Sequence, residues 1–447
     1  MRNNAVMWRV IFVALYMLAA TPAVATLNIE ITRSAEGAAR IAVVPFGWYG
    51  QGAAPVDVAA VIAADLHRSG LFSPVVVKDM LEKPDDAAAV DFKNWRVIEV
   101  PNLVVGRLYN VGPDKTGEDI YTLRFHLFDV YQAKVLQEMT LQGRKKELRY
   151  RAHQISDLIY QILTGQRGAF TTRIAYITKG LNVKGGGRYT LFVADADTEN
   201  ALPVFVSPEP IFSPAWAPDG KRIAYVTMEK RRQQVYVQDT TTGQRDLVAN
   251  FMNYNGAPAW SPDGKKLALA LSQDGNHEVY VLDIETRVLK RITNHWGIDT
   301  EPAWTPDGRN LVYTSEQGGS PQIYQYTFSS GEIKRLTFEG KQNLRASYSP
   351  DGRLLTFIHR TEDRQDHVAV MDVATGLVRV LTDTGLDESP SFAPNGSMII
   401  FATTKIDERH QRGVLSAVSV DGRVQQMFSL PPGAGDVREP TWAPFGH

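Results

Sequence analysis

The sequence predicts two domains, an N-terminal α/β domain (a mixed sheet with helices) followed by an all-β six-bladed β-propeller. Three observations predict it. A short phrase, aromatic-x-Pro-Asp/Asn-Gly, recurs with its aromatic residue at Trp216, Trp260, Trp304, Tyr348 and Phe392, a spacing of 44 residues. Inside each interval the apolar residues alternate with period two, as in strands, instead of the helical period. Ahead of residue 168 the pattern changes, and helical stripes stand between the strands. A fixed period of about 40–50 residues marks a repeat architecture.

Residues 1–25 read as an export signal. Arg2 and Arg9 give a positive start, Val10 to Ala20 is continuously apolar, and Ala23-Val24-Ala25 is a small-x-small cleavage pattern. The run is shorter than the ~20 apolar residues a membrane-spanning helix needs. The expectation is a soluble, exported chain. With no cysteine in the sequence, a disulfide scaffold, a thiolate metal site and a cysteine nucleophile are excluded. Such an exported chain must be held by its cores. Lys plus Arg (48) balances Asp plus Glu (49), so there is no basic footprint for nucleic acid.

Residues 26–33 stand apart. Leu27-Asn28-Ile29-Glu30-Ile31-Thr32 alternates strictly, with no turn or partner strand beside it. It either pairs within the domain or stays free as a strand offered to another protein.

Residues 34–167 carry the α/β pattern. Ile41 to Val44 is a strand, and Pro55 to Ser69 is an amphipathic helix with Val58, Val61, Ile62 and Leu66 on one face and Gly70 as its stop. Strands follow at Leu103 to Val105, Tyr121 to Val130 and Val135 to Leu141. A last helix carries Ile155, Leu158, Ile159 and Ile162 on one stripe before Gly165.

Residues 168–447 hold the WD40-like repeats. Pro-Asp-Gly is turn chemistry: proline fixes φ, Asp bonds nearby backbone, and glycine supplies a positive φ. Alternating stretches such as Arg222 to Thr227 and Val235 to Asp239 follow, then a second turn and a closing strand such as Arg379 to Thr382. Four strands at this period make a propeller blade. The unit beginning near Arg173 lacks its aromatic strand, while an orphan copy, Trp442-Ala-Pro444, stands at the chain end. The C-terminal strand therefore completes the first blade, and the ring of six closes without open edges. Six equivalent aromatics read as packing between blades, and the turn Asp residues as backbone caps.

Catalytic motifs are missing, which points to no enzyme. Gly318-Gly319-Ser320-Pro321-Gln322 lacks the final glycine of a nucleophile elbow, and no P-loop is present. His277-Glu278 is not followed by a histidine at metal-ligand spacing, and the nine histidines do not cluster. No cofactor and no metal centre are expected.

What remains is a surface. The loops entering the aromatic strands gather on one face around the channel mouth, opposite the Pro-Asp-Gly turns. They are expected to bring Asp299, Glu301, Asp387, Glu388, Asp436 and Glu439 to one rim. Repeated loops on one face commonly form a binding face. A hard cation such as Ca²⁺ is a weaker reading of the same oxygens. A competing function is a propeller that binds or hydrolyses a small ligand or peptidoglycan fragment. Glu301 and Glu388 are its only acid–base candidates, and retention of an envelope protein in a pull-down separates the two readings.

The sequence resembles the TolB family, the periplasmic proteins of the Tol-Pal cell-envelope system of Gram-negative bacteria. The residues that carry the resemblance are Val43-Val-Pro-Phe46, Gly52-Ala-Ala-Pro55, Ala63-Ala-Asp-Leu66, Gly168-Ala-Phe and Thr172-Arg-Ile-Ala-Tyr176. They continue with Asn255-Gly-Ala-Pro258, Thr300-Glu-Pro302 and Leu386-Asp-Glu388. The resemblance covers nearly the whole chain after the export signal. It implies a periplasmic adaptor without enzyme activity that supports envelope integrity and constriction at division. It implies that the propeller mouth binds the outer-membrane lipoprotein Pal through Tyr254, Ala257, Thr300 and Glu301, with Asp299, Asp387 and Glu388 on the same rim. It further implies that Leu27, Asn28, Ile29, Glu30, Ile31, Thr32 and Arg33 bind TolA and move between free and docked states when Pal binds. Other periplasmic or outer-membrane proteins are open as further partners.

Overall fold

The structure is a computed structural model that describes residues 29–33, 37–181, 187–406, 411–428, 430 and 435–446. The export signal, Leu27 and Asn28 lie outside the described residues.

The N-terminal domain is built on strands β2 (Ala39–Val43), β3 (Gly47–Tyr49), β4 (Phe72–Pro74), β5 (Asn102–Pro113), β6 (Asp119–Asp129) and β7 (Lys134–Arg144), preceded by β1 (Ile29–Arg33). The order is β4-β2-β5-β6-β7, with β3 also on β5. β4 and β5 run parallel to β2, whereas β5, β6 and β7 form an antiparallel meander, so the sheet is mixed. Helices α1 (Val58–Arg68) and α3 (Leu148–Thr164) cover one face, burying Ile62, Leu66, Ile155 and Ile159 against Ile41, Val104 and Phe125. The short helix α2 (Phe92–Val97) covers the other and buries Trp95 against Val44 and Leu103. The indole of Trp95 donates to Glu82 at 2.7 Å, which pins a helix that periodicity did not announce. The first helix begins later than Pro55 because the Asp57 side chain accepts from Ala60 N at 3.0 Å, an N-cap.

Six radial sheets follow. Blade one joins Asp436–Trp442 to Arg173–Leu181, Gly187–Asp195 and Leu202–Ser207. Blades two to five are Ile211–Ala249, Asn255–Arg291, Asp299–Arg335 and Gln342–Val380, and blade six is Glu388–Phe428. Closure occurs where Trp442 pairs with Ile174 and Val437 with Thr178. Ala443 N also donates to Arg173 O at 2.8 Å, and the Trp442 indole to Thr172 Oγ1 at 2.8 Å. The repeated aromatics sit between blades: the indoles of Trp260 and Trp304 each donate 3.2 Å to a carbonyl of the preceding blade, at Ala215 and Ala259. The turn Asp residues cap backbone, as Asp219 does for the amides of Lys221 and Arg222.

The N-terminal segment corrects both local alternatives. β1 pairs antiparallel with Gln425–Phe428, so it neither joins its own domain's sheet nor stands free, and it is the fifth strand of blade six. Nearby, a buried ionic cluster joins the domains. Asp197 of blade one lies beside Arg149, 3.5 Å from His153 Nε2 and 3.7 Å from Arg68. Asp65 takes the other side of His153 at 2.7 Å and of Arg68 at 2.6 Å. Asn395, in a turn of the repeated phrase, donates to Arg167 O at 3.0 Å. The α/β domain therefore rests on the turn face, and the opposite face with the channel mouth is left uncovered.

Candidate functional site

The mouth is built by one backbone device used six times. Ser213, Ala257, Glu301, Arg345, Ser389 and Glu439 are equivalent positions, and each has a positive φ between 47° and 54°. At each the register of the innermost strand slips against its neighbour. Proline follows at 214, 258, 302, 390 and 440, where a lost ladder donor is tolerated at a bulge. Left-handed backbone costs roughly 1–2 kcal/mol for each such residue, and it persists because the closed ring over-determines it. A bulge re-aims the side chain: all six residues line one central cavity of about 220 Å³.

Charge in the cavity is organised by Arg345. Its Nε lies 2.9 Å from Glu301 Oε1, its Nη1 lies 3.6 Å from Glu439, and it also donates to the Ser389 hydroxyl. Glu301 is held in turn by Arg345 N at 3.0 Å and Thr314 Oγ1 at 2.9 Å, while Glu439 accepts from Ser213 N at 2.6 Å. Burial works against the charge on Arg345, but Glu439, Glu301 and Glu388 outweigh it and raise the guanidinium pKa further above its ordinary range. Each acid thus ties its own blade to a neighbour.

The rim expectation needs correcting at two residues. Asp299 and Asp387 are 2% and 3% exposed and do not reach the rim. They occupy the positions of Asn255 and Asn343, 44 residues apart, which staple the entering loops from inside. Asn255 bonds both the amide and the carbonyl of Phe251 at 2.8 Å, and Asn343 donates to Glu339 O at 2.8 Å. Asp387 accepts from the hydroxyls of Thr382 and Thr384. Asp299 is pushed up to about 6 by burial, against the hydroxyls of Ser315 and Thr293.

The other expected residues lie at the mouth. Tyr254, Ala257 and Glu301 line the cavity together. Tyr254 stacks on His277 with centroids 4.3 Å apart and folds over Gly256, where a Cβ would meet its hydroxyl at 2.3 Å. Burial, then the Glu301 charge, hold its phenol above the usual range. Thr300 is half-buried next to Glu301. Glu388 pairs with Arg438 at 3.3 Å across the last blade junction. Missed by sequence reasoning is an apolar fringe on the same entering loops: Met252, Trp296 and Phe338 are 74%, 76% and 72% exposed. Their near-44 spacing is the signal that was present.

Among the described residues, Asp65, His153 and Asp197 are the one group whose donor atoms could surround a metal ion. Arg68 and Arg149 share that pocket and already balance the two carboxylates, so the chemistry is that of an ionic latch. At the mouth, Arg345 supplies the positive charge that a cation would bring to Glu301 and Glu439. No helix among the described residues is long and apolar enough to cross a membrane.

Comparison with known proteins bears on all of this. Residues 160–446 match a family model described as the TolB beta propeller domain, and residues 27–136 match the TolB amino-terminal domain. The chain is 57% identical to the Tol-Pal system protein TolB of Nitrosococcus oceani, over 96% of each chain. It is 50% identical to the protein of that name in Pseudomonas fluorescens, over 100% of each. The crystal structure of TolB from Acinetobacter baumannii superimposes with a TM-score of 0.84 at 40% identity, covering 94% of this chain and 100% of that one.

Proposed function

Because the chain belongs to the TolB family, we propose that it acts in the periplasm as a non-enzymatic adaptor of the Tol-Pal system. In this reading the propeller mouth grips the lipoprotein Pal, and residues 27–33 engage TolA. The role is to support outer-membrane integrity and constriction at division.

The observation that carries the reading is the uncovered mouth. Six left-handed residues hold a charged cavity open on the face that the α/β domain leaves free, and apolar Met252, Trp296 and Phe338 fringe it. Exposed apolar side chains mark interaction sites, and Trp and Arg are residue types that dominate protein–protein hot spots. The second limb rests on β1, a strand added to a sheet edge, which another chain can replace through the same backbone bonds. Calorimetric titration of the purified protein with the soluble part of Pal tests the first limb. Saturable one-to-one binding is expected, and no heat at micromolar concentrations overturns it.

A further inference from the structure

At two blade junctions, one to two and two to three, the repeated aromatic is covered by an arginine of the preceding blade. The Arg173 guanidinium lies over Trp216, 5.2 Å from the ring centroid, and that of Arg222 over Trp260 at 4.9 Å. The junction of blades two and three is closed further by an ion pair between Arg287 and Asp246. At the junction of blades three and four all three closing residues change. Lys266 stands where Arg222 stands 44 residues earlier, Lys290 where Asp246 stands, and Gly331 where Arg287 stands. A lysine lacks the flat guanidinium that stacks on an indole, and lysine with glycine makes no ion pair.

The result is an open groove of about 580 Å³. Its floor is Trp304 stacked on Phe328, with centroids 5.2 Å apart at 16°. Val288, which is 63% exposed, and Ile292 form a wall, and Lys266 and Lys290 stand at the lip. Asp283 is the one carboxylate among the lining residues; it accepts from the amide and hydroxyl of Thr286 at 2.9 Å and also feels the charge of Lys266, so the two lysines leave the groove with one net positive charge. Gly308 of a Pro-Asp-Gly turn borders the groove, which places it on the face opposite the mouth.

We propose that this groove docks an extended segment of a partner protein in which an aromatic side chain is flanked by carboxylates. The ring adds to the Trp304–Phe328 stack, an arrangement favoured between aromatic rings, and the carboxylates meet Lys266 and Lys290. Charge complementarity selects the acidic segment, and the aromatic floor selects the ring. The protein then has a second docking face, independent of the mouth.

The test uses three probe peptides, Ac-Glu-Phe-Glu-amide, Ac-Gln-Phe-Gln-amide and Ac-Glu-Ala-Glu-amide, titrated into the purified protein while the Trp304 indole resonance is followed. The acidic aromatic peptide is expected to shift it saturably, and the other two to bind at least tenfold more weakly. The double variant Lys290→Asp/Gly331→Arg transfers the neighbouring closing pair. Arg287 itself sits at φ +59°, so that turn accepts arginine. It is expected to abolish the shift, and Lys266→Glu/Lys290→Glu to weaken binding at least tenfold with an unchanged melting temperature. No saturable shift in the parent protein, or binding by both variants as tight as the parent's, overturns the proposal.

Discussion

Arg345 Nε lies 2.9 Å from Glu301 Oε1, and the Arg345 amide lies 3.0 Å from Glu301 Oε2, so one carboxylate holds both the side chain and the strained backbone of the next blade. Deleting it leaves a half-buried guanidinium whose remaining contacts are the Ser389 hydroxyl and the longer ion pair to Glu439. Glu301→Ala is expected to weaken Pal binding at least tenfold, about 1.4 kcal/mol. Calorimetry against soluble Pal reads this directly, and an unchanged affinity removes Glu301 from the site.

Asp299 gives a stability prediction with a definite sign. Its folded value of about 6 lies above the ordinary 3.8, so the folded state holds its proton more tightly than the unfolded chain. The group costs nothing below about pH 4, and the cost grows as pH rises towards 6 and is complete above it. Asn255 and Asn343 show that an amide suits the equivalent position. Asp299→Asn should therefore stabilise the protein at pH 7.5 by about 1–3 kcal/mol and remove this residue's contribution to the pH dependence of stability between pH 4 and 6. Denaturant melts of both proteins at pH 4 and pH 7.5 check it.

The reach of sequence reasoning follows the same residues. The closing strand at Trp442 is legible because its phrase repeats and its partner phrase is missing at the other end. The burial of Asp299 and Asp387 was also within reach, since Asn255 and Asn343 stand at the same spacing and only a short polar cap is common to all four. Arg345 was not, because its central position comes from a left-handed bulge that no local motif encodes. Nor was the seat of β1. Its alternation announces a strand, but its partner, Gln425–Phe428, lies at the far end of the chain. Helix α2 escaped because Trp95 is anchored by Glu82 rather than by an apolar stripe.

His153 makes the domain junction sensitive to pH. Burial lowers its affinity for a proton, but Asp65, by charge and hydrogen bond, and then Asp197 outweigh both this and Arg68, so its pKa is raised. A raised folded value stabilises fully below the unfolded value of about 6.5 and is lost as pH rises through the folded one. Replacing His153 with Gln should thus lower the melting temperature more at pH 6 than at pH 8. Equal losses at both values show that the imidazole carries no charge there.

Ring closure is expected to dominate propeller stability. Without residues 442–447 the Trp442 indole no longer bonds Thr172, and Arg167 loses the Phe445 ring 3.8 Å away. Loss of a packed tryptophan costs about 3–5 kcal/mol, which should lower the melting temperature by about 5–10 °C. An unchanged melting curve means the disc is held by other contacts.

Strand β1 should behave in the opposite way. The other five blades fold with four strands each, so blade six needs no fifth to be complete. Removing residues 27–33 exposes the edge at Gln425–Phe428, whose backbone groups then bond to water, and the net loss per hydrogen bond is only about 0.5–1.5 kcal/mol. Much of even that is offset by the entropy regained when the segment is no longer ordered. The truncated protein is therefore expected to melt within about 3 °C of the parent and to fail to bind TolA in a pull-down. Retained TolA binding moves that contact elsewhere on the molecule, and a collapse in melting temperature makes the strand part of the fold instead of a detachable recognition element.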